Sequence, residues 1–252
     1  MPSILSTSDW SKVHDICLKA DVNTWVIWDV DNTLVFAALC VHDDFYKKQL
    51  KLIEESEHGK LSNFEIKELW YKIRFSLPCY LMDKVVPVTI NDLQLRQIVT
   101  FALTYLLART QNFDCVSWRI QQLRQFNIDF SVTSPINRRV EFRNMSHDYP
   151  VGYPTLKDGV FCTHHCQKGN CLELLIEQVD IKPKKIIFID DALNNLKGVE
   201  QIAEKHCIDF LGIEYLGYLN INPNRPCLDE TLLNRWKAFK KTGKWNRIPV
   251  LR

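Results

Sequence analysis

Two runs of this chain carry almost no polar residue until each ends in acid: Trp25-Val26-Ile27-Trp28-Asp29 and Ile186-Ile187-Phe188-Ile189-Asp190. Strands apolar on both faces belong to a parallel sheet covered by helices on both sides, since a sheet wet on one face would alternate. Residues 128–133 and 208–213 read as further strands, and 159–163 as a weaker edge strand. Between them, 115–126, 170–179 and 193–205 read as helices, with Leu172, Leu175, Ile176 and Val179 at helical spacing. Strands alternating with helices predict an α/β fold, a parallel sheet flanked by helices. Ligands of such sheets bind outside the carboxyl ends of the strands, where Asp29, Thr133 and Asp190 are expected.

The stretch 36–111 departs from this pattern. Ser62-x-x-Glu65 is a capping-box signal, after which Ile66, Leu69, Trp70 and Ile73 form one helical face. Residues 42–57 and 91–108 are also helix-like. The chain therefore divides into an α/β core, 1–35 and 112–252, and a helical cap inserted at 36–111 after the first strand. With 46% apolar and 25% charged residues in 252, a packed core is affordable and disorder is excluded as the main state. A net charge of +2 gives no global attraction to nucleic acid. The longest uncharged apolar-rich stretch, 98–108, is too short to span a bilayer. The opening MPSILSTSDW lacks the pattern of a Sec signal, and nine cysteines, an odd number, read as reduced thiols of the cytoplasm.

The chemistry concentrates in Asp29-Val30-Asp31-Asn32-Thr33-Leu34 and in Asp190-Asp191, each after an apolar strand. Carboxylates crowded at one sheet edge repel and are costly to desolvate. A cation resolves the conflict, and hard oxygen ligands select Mg²⁺ over zinc or copper.

These motifs resemble those of the haloacid dehalogenase superfamily, specifically its Mg²⁺-dependent phosphohydrolases, whose core is Rossmann-like. Residues 25–34 match an apolar strand followed by Asp-x-Asp-x-Thr-Leu; Phe130 to Thr133 match a strand ending in Thr. Lys168 matches the lysine before the helix leading to the acidic strand, and Ile186 to Asp191 match that strand, with Lys168 lying 23 residues before Asp191. The resemblance implies that Asp29 attacks phosphorus to give an aspartyl-phosphate, and that Asp31 protonates the leaving oxygen and then activates water. It implies that Mg²⁺ is held by Asp29, the Asp31 carbonyl and Asp191, with Asp190 nearby and Asn195 orienting a metal-bound water. Thr133, Ser134 and Lys168 are expected on the phosphoryl oxygens. Asp31 favours phosphoryl transfer over dehalogenation, whose enzymes lack the second acid.

Within that superfamily, Ile186 to Leu196 and the Gly217-Tyr218 pair resemble a subset from bacteria living inside eukaryotic cells, including a secreted tyrosine-phosphatase effector. This implies a phosphoprotein substrate, and action in a host cell after export without a Sec signal. A small metabolite, such as a nucleotide or sugar phosphate, is the alternative substrate, and a non-catalytic phosphate-binding module a third reading. Phe36, His42, Asp43, Asp44 and Tyr46, after the first motif, are candidates for contacting the leaving group.

Cys162, His164, Cys166 and Cys171 have the residue types of a zinc site but not a common spacing, and Lys168 falls among them. Thiols packed beside a strand are favoured. A cysteine phosphatase is rejected, because Leu172 stands where His-Cys-x5-Arg needs arginine. The C-terminal 225–252 carries eight basic residues against Asp229 and Glu230. A docked helix at 229–241 with a solvated basic face is favoured there over contact with an acidic membrane.

Overall fold

The computed structural model describes residues 3–37, 79–145 and 151–221, with isolated positions between 51 and 75 and between 237 and 242. An eight-stranded sheet organises the larger unit. Its strands are β1 (Ile4–Thr7), β2 (Thr24–Trp28), β5 (Val99–Thr104), β6 (Val140–Glu141), β7 (Thr155–Lys157), β8 (Val160–Cys162), β9 (Lys185–Asp190) and β10 (Asp209–Tyr215). They lie in the order β1-β10-β9-β2-β5-β8-β7-β6. The first six run parallel, and β7 and β6 are added antiparallel at the far edge. This is the α/β sheet that the apolar runs predict.

Both faces are covered, which is why β2 is buried at every position. One face packs Trp25, Ile27, Phe101 and Phe188 against helices α4 (Lys168–Gln178) and α5 (Leu193–Lys205), through Leu172, Leu175, Leu196 and Val199. On the other strand positions stand Val26 and Trp28, beside helices α1 (Trp10–Cys17) and α2 (Val86–Leu95). There the Trp10 and Trp28 rings stack 5.9 Å apart, and Trp28 Nε1 donates to Thr100 Oγ1 at 2.6 Å. A buried indole N–H is thereby satisfied within the layer.

Three expectations are corrected. Residues 128–133 form no strand: Phe130–Thr133 is a 3-10 turn, capped by Asp129, whose side chain accepts from Ser131 N at 3.0 Å. Residues 91–108 are not one helix: α2 ends at Leu95, and Val99–Thr104 is a central strand paired to β2 on one side and β8 on the other. The run Phe101-Ala102-Leu103 is apolar because it is buried on both faces, and periodicity alone does not separate such a strand from a buried helix. The third concerns β8, which lies inside the sheet between β5 and β7 rather than at its edge.

The unit boundary moves accordingly. The sheet unit comprises Met1–Val35 and Leu81–Asn220, so the inserted segment is Phe36–Tyr80 rather than 36–111. The second unit is Phe36–Tyr80 with Ile221–Arg252. Strands β3 (Val35–Ala37) and β4 (Cys79–Leu81) pair where the insertion leaves and rejoins. The capping box is present: Ser62 N donates to Glu65 Oε2 at 2.8 Å, and Glu65 N to Ser62 Oγ at 3.2 Å. Ile66, Leu69, Trp70, Ile73, His42, Asp43, Asp44 and Tyr46, and most of 229–241, lie outside the described residues.

Candidate active site

The carboxyl ends of β2, β5 and β9 meet at one edge of the sheet. Asp29 follows β2 directly, and its backbone N–H donates to Ile189 O at 2.8 Å, which places it level with the end of β9. The chain then turns tightly: Val30 O accepts from Leu34 N and Val35 N, both at 3.0 Å, and Asn32 takes a left-handed φ of 64°. Asparagine tolerates that conformation better than most residues. Its side chain reaches across, Nδ2 donating to Asp191 Oδ2 at 3.2 Å. Oxygen atoms of Asp29, Asp190 and Asp191 all lie within 4.8 Å of one another.

Lys168 enters from the first residue of α4 and is almost wholly buried. Its Nζ donates to Asp29 Oδ1, and to Asp190 Oδ2 at 2.6 Å. Glycine at 169 makes this placement possible, because α4 and α5 cross closely there. A Cβ on Gly169 would fall 2.5 Å from Gly198 O. Asp190 is held further by Ala192 N at 2.8 Å and by Asn195 Nδ2 at 2.9 and 3.2 Å. Asn195 is thus bonded to the Asp190 carboxylate itself.

Burial and the neighbouring acids raise the Asp29 carboxyl well above the ordinary carboxylate range, against the pull of Lys168. Burial, then the charge of Asp190, pushes Asp191 up to about 6. Burial opposes the Lys168 charge, but Asp190 and Asp29 outweigh it and hold the ammonium protonated. Three carboxylates facing one ammonium leave two negative charges when all are ionised. That excess, together with an all-oxygen donor set, fits a hard divalent cation, and Asp29, Asp190 and Asp191 are the residues to hold it.

Asp31 does not join this cluster through its side chain. Its carboxylate is engaged by Arg119, whose Nη2 lies 2.9 and 2.7 Å from its two oxygens. Sequence reasoning missed Arg119, yet a signal existed. On helix α3 (Cys115–Arg124) the buried positions are Cys115, Val116, Arg119, Ile120 and Leu123, so a charged residue stands on the core-facing stripe.

Thr133 and Ser134 are separated from the site. Ser134 lines a cavity of about 510 Å³ with Val22, Asn23, Val99 and Pro183, at the amino ends of β2, β5 and β9. Five residues of β2 separate that edge from Asp29, on the order of 16 Å of strand. The residue in the position foreseen for Thr133 is Thr104, which ends β5. Trp28 is paired with Ala102, so Thr104 lies just beyond the level of Asp29 on the neighbouring strand. Its Oγ1 is buried and has no hydrogen-bond partner. The signal was present as Phe101-Ala102-Leu103-Thr104, an apolar run ending in a hydroxyl.

Among the described residues, three ligating atoms come within one ion's reach at Asp29/Asp190/Asp191 and at Glu173/Glu177/His206, and not at Cys162, His164, Cys166 and Cys171. His164 Nδ1 instead accepts from Ala108 N at 3.1 Å. Cys171 Sγ packs 3.6 Å from Met145 Sδ, and burial pushes the Cys162 thiol far up. These thiols pack rather than ligate.

Fold and site together define an α/β protein with a carboxylate-lysine cluster at the carboxyl edge of a parallel sheet. Residues 6–246 match the family model described as "Protein of unknown function (DUF2608)", and the chain belongs to that family. A Chlamydia muridarum protein named "Putative outer membrane protein" is 24% identical over 217 residues, 84% of this chain and 77% of the relative. A Chlamydia pneumoniae protein whose name opens with the same words is 21% identical over 208 residues, 81% and 74% of the two chains. A Rickettsia felis protein named "Uncharacterized protein" is 28% identical over 103 residues, 41% of this chain and 34% of its own. No solved structure matches the chain. Among the described residues, no helix is long and apolar enough to cross a membrane.

Proposed function

We propose that this protein is a Mg²⁺-dependent phosphomonoesterase of the haloacid dehalogenase type, working through a phosphoryl group carried on Asp29. The observation that carries the reading is the buried triangle of Asp29, Asp190 and Lys168, with Asp191 within 4.8 Å. A carboxylate in such a place is costly unless it does chemistry, because an apolar set would fill the space more stably.

Each group then has a role. Asp29 is the nucleophile, forming an oxygen–phosphorus bond as the ester oxygen departs. Asp31 gives that oxygen its proton, and afterwards takes one from the water that hydrolyses the acyl phosphate. Lys168 binds a phosphoryl oxygen and offsets charge that builds as a dianion meets Asp29. Thr104 offers its unpartnered hydroxyl as a further donor. Mg²⁺, held by Asp29, Asp190, Asp191 and the Asp31 carbonyl, would draw charge from the phosphoryl oxygens. Asn32 and Asn195 fix Asp191 and Asp190 so that neither turns away.

The leading substrate is phosphotyrosine in protein or peptide. Cysteine usage supports a reducing compartment, the cytoplasm or a host cell after export, as the place of action. A panel of aryl phosphate, phosphopeptides and nucleotide monophosphates, each with Mg²⁺ and with chelator, tests all of this. Turnover of phosphotyrosine peptides far above metabolites, lost with chelator, is expected. Preference for a nucleotide or sugar phosphate overturns the substrate, and no metal-dependent turnover overturns the reaction.

A further inference from the structure

Arg119 occupies a position that stability does not explain. Its side chain is 1% exposed on the core-facing stripe of α3, while the carboxylate it engages, Asp31, is 31% exposed. Nη2 straddles both Asp31 oxygens, Nη1 donates to Gln122 Oε1 at 2.5 Å, and Nε has no partner. An orphan buried donor is costly, and an arginine chosen for packing alone would be replaced by an apolar residue. The guanidinium also lies over the Trp118 ring, 5.0 Å from its centroid, so its plane is held as well as its charge. What this arrangement achieves is to fix the direction of Asp31, a residue on a tight turn.

We infer that Arg119 is the positioning residue of the proton-transfer step, aiming Asp31 at the leaving oxygen. The inference rests on the phosphatase reading and extends it to a residue outside the carboxylate cluster. In the step, the Asp29 oxygen–phosphorus bond forms and the phosphorus–ester oxygen bond breaks. The electron pair stays on the ester oxygen, which takes the proton from the Asp31 carboxyl. Nη2 then faces the carboxylate left behind, which charge-assisted hydrogen bonds favour. In the second step, the water oxygen bonds to phosphorus as the Asp29 oxygen–phosphorus bond breaks. The water's proton passes to Asp31, and phosphate leaves with the Asp29 carboxylate regenerated, closing the cycle. Gln122 holds the other arm of the guanidinium, so the pair acts as one clamp on α3.

A leaving-group series separates positioning from simple support of the fold. p-Nitrophenolate departs without a proton, whereas an alkoxide needs one. Arg119→Met should lower kcat at least 10-fold more on an alkyl phosphate than on p-nitrophenyl phosphate, with KM little changed. Arg119→Lys should recover part of the alkyl activity. Gln122→Met, which leaves the ion pair intact but loosens it, should show the same pattern more weakly. In an Asp31→Asn background, Arg119→Met should add nothing to the alkyl loss. Equal loss on both substrates, or additive effects in the double variant, overturns the positioning role while leaving the phosphatase reading intact. Absence of any turnover by the unsubstituted protein overturns both.

Discussion

Lys168 Nζ stands 2.6 Å from Asp190 Oδ2, with both side chains sealed from solvent and with Asp29 also bonded to the ammonium. The contact joins the start of α4 to the end of β9 and orders the acids around it. Removing the cation leaves two buried carboxylates unpaired.

Lys168→Met is therefore expected to lower stability by about 3–5 kcal/mol in metal-free protein near pH 7. The loss should shrink in acid, because Asp29 takes up a proton above the ordinary carboxylate range. Urea unfolding at pH 5 and pH 7 measures it. A loss equal at both pH values contradicts the pairing.

Asp191 gives a sharper pH signature. Its folded-state value of about 6 lies above the ordinary 3.8, so the fold favours the protonated acid. This group's contribution to stability is highest below about pH 4, falls as pH rises to 6, and is flat above. The fall is on the order of 2–3 kcal/mol. Mg²⁺ binds the ionised form, so its uptake should release more protons near pH 5 than at 7.5. Calorimetry in two buffers of different protonation enthalpy reads that number directly.

The parallel sheet was legible because Trp25–Trp28 and Ile186–Ile189 are buried on both faces and show it in composition. Asp29, Asp190 and Asp191 were legible because each ends or follows such a strand, and Lys168 only through the resemblance, as the lysine before the helix that leads to the acidic strand. Thr104 was not, since the run around it is equally apolar as helix or strand, and only its pairing with β2 decides between them. The pattern at 128–133 looked like a strand because Phe130 is buried, yet Asp129 caps a 3-10 turn there instead. Arg119 could be found only by treating a charge on an apolar stripe as a clue.

The exchange of Thr133 for Thr104 makes its own prediction. Thr104→Val removes a buried hydroxyl that bonds to nothing in the protein, so stability should change by less than about 1 kcal/mol. kcat/KM for a phosphomonoester should nevertheless fall roughly 100–1,000-fold, the range for loss of one oxyanion-hole donor. Ser134→Ala, at the opposite sheet edge, should leave kcat/KM unchanged. Steady-state kinetics of the two variants decide between the positions.

The α4–α5 crossing should be equally exacting. Gly169→Ala places a methyl group 2.5 Å from Gly198 O, so the helices must part and carry Lys168 with them. Overpacking of this kind costs about 1–3 kcal/mol. Gly169→Ala should lower kcat more than Gly198→Ala, since a Cβ at Gly198 meets nothing within 4 Å. Thermal melts and initial rates of both variants check the contrast.

Capture of the phosphoryl group itself is the decisive observation. Acid quench during turnover of an aryl phosphate with Mg²⁺, followed by peptide mass spectrometry, should find a hydroxylamine-sensitive phosphoryl group on Asp29. Asp29→Asn should abolish both label and turnover. Sustained turnover with Asp29 unlabelled, or retained in Asp29→Asn, would contradict the assignment of Asp29 as the phosphoryl carrier.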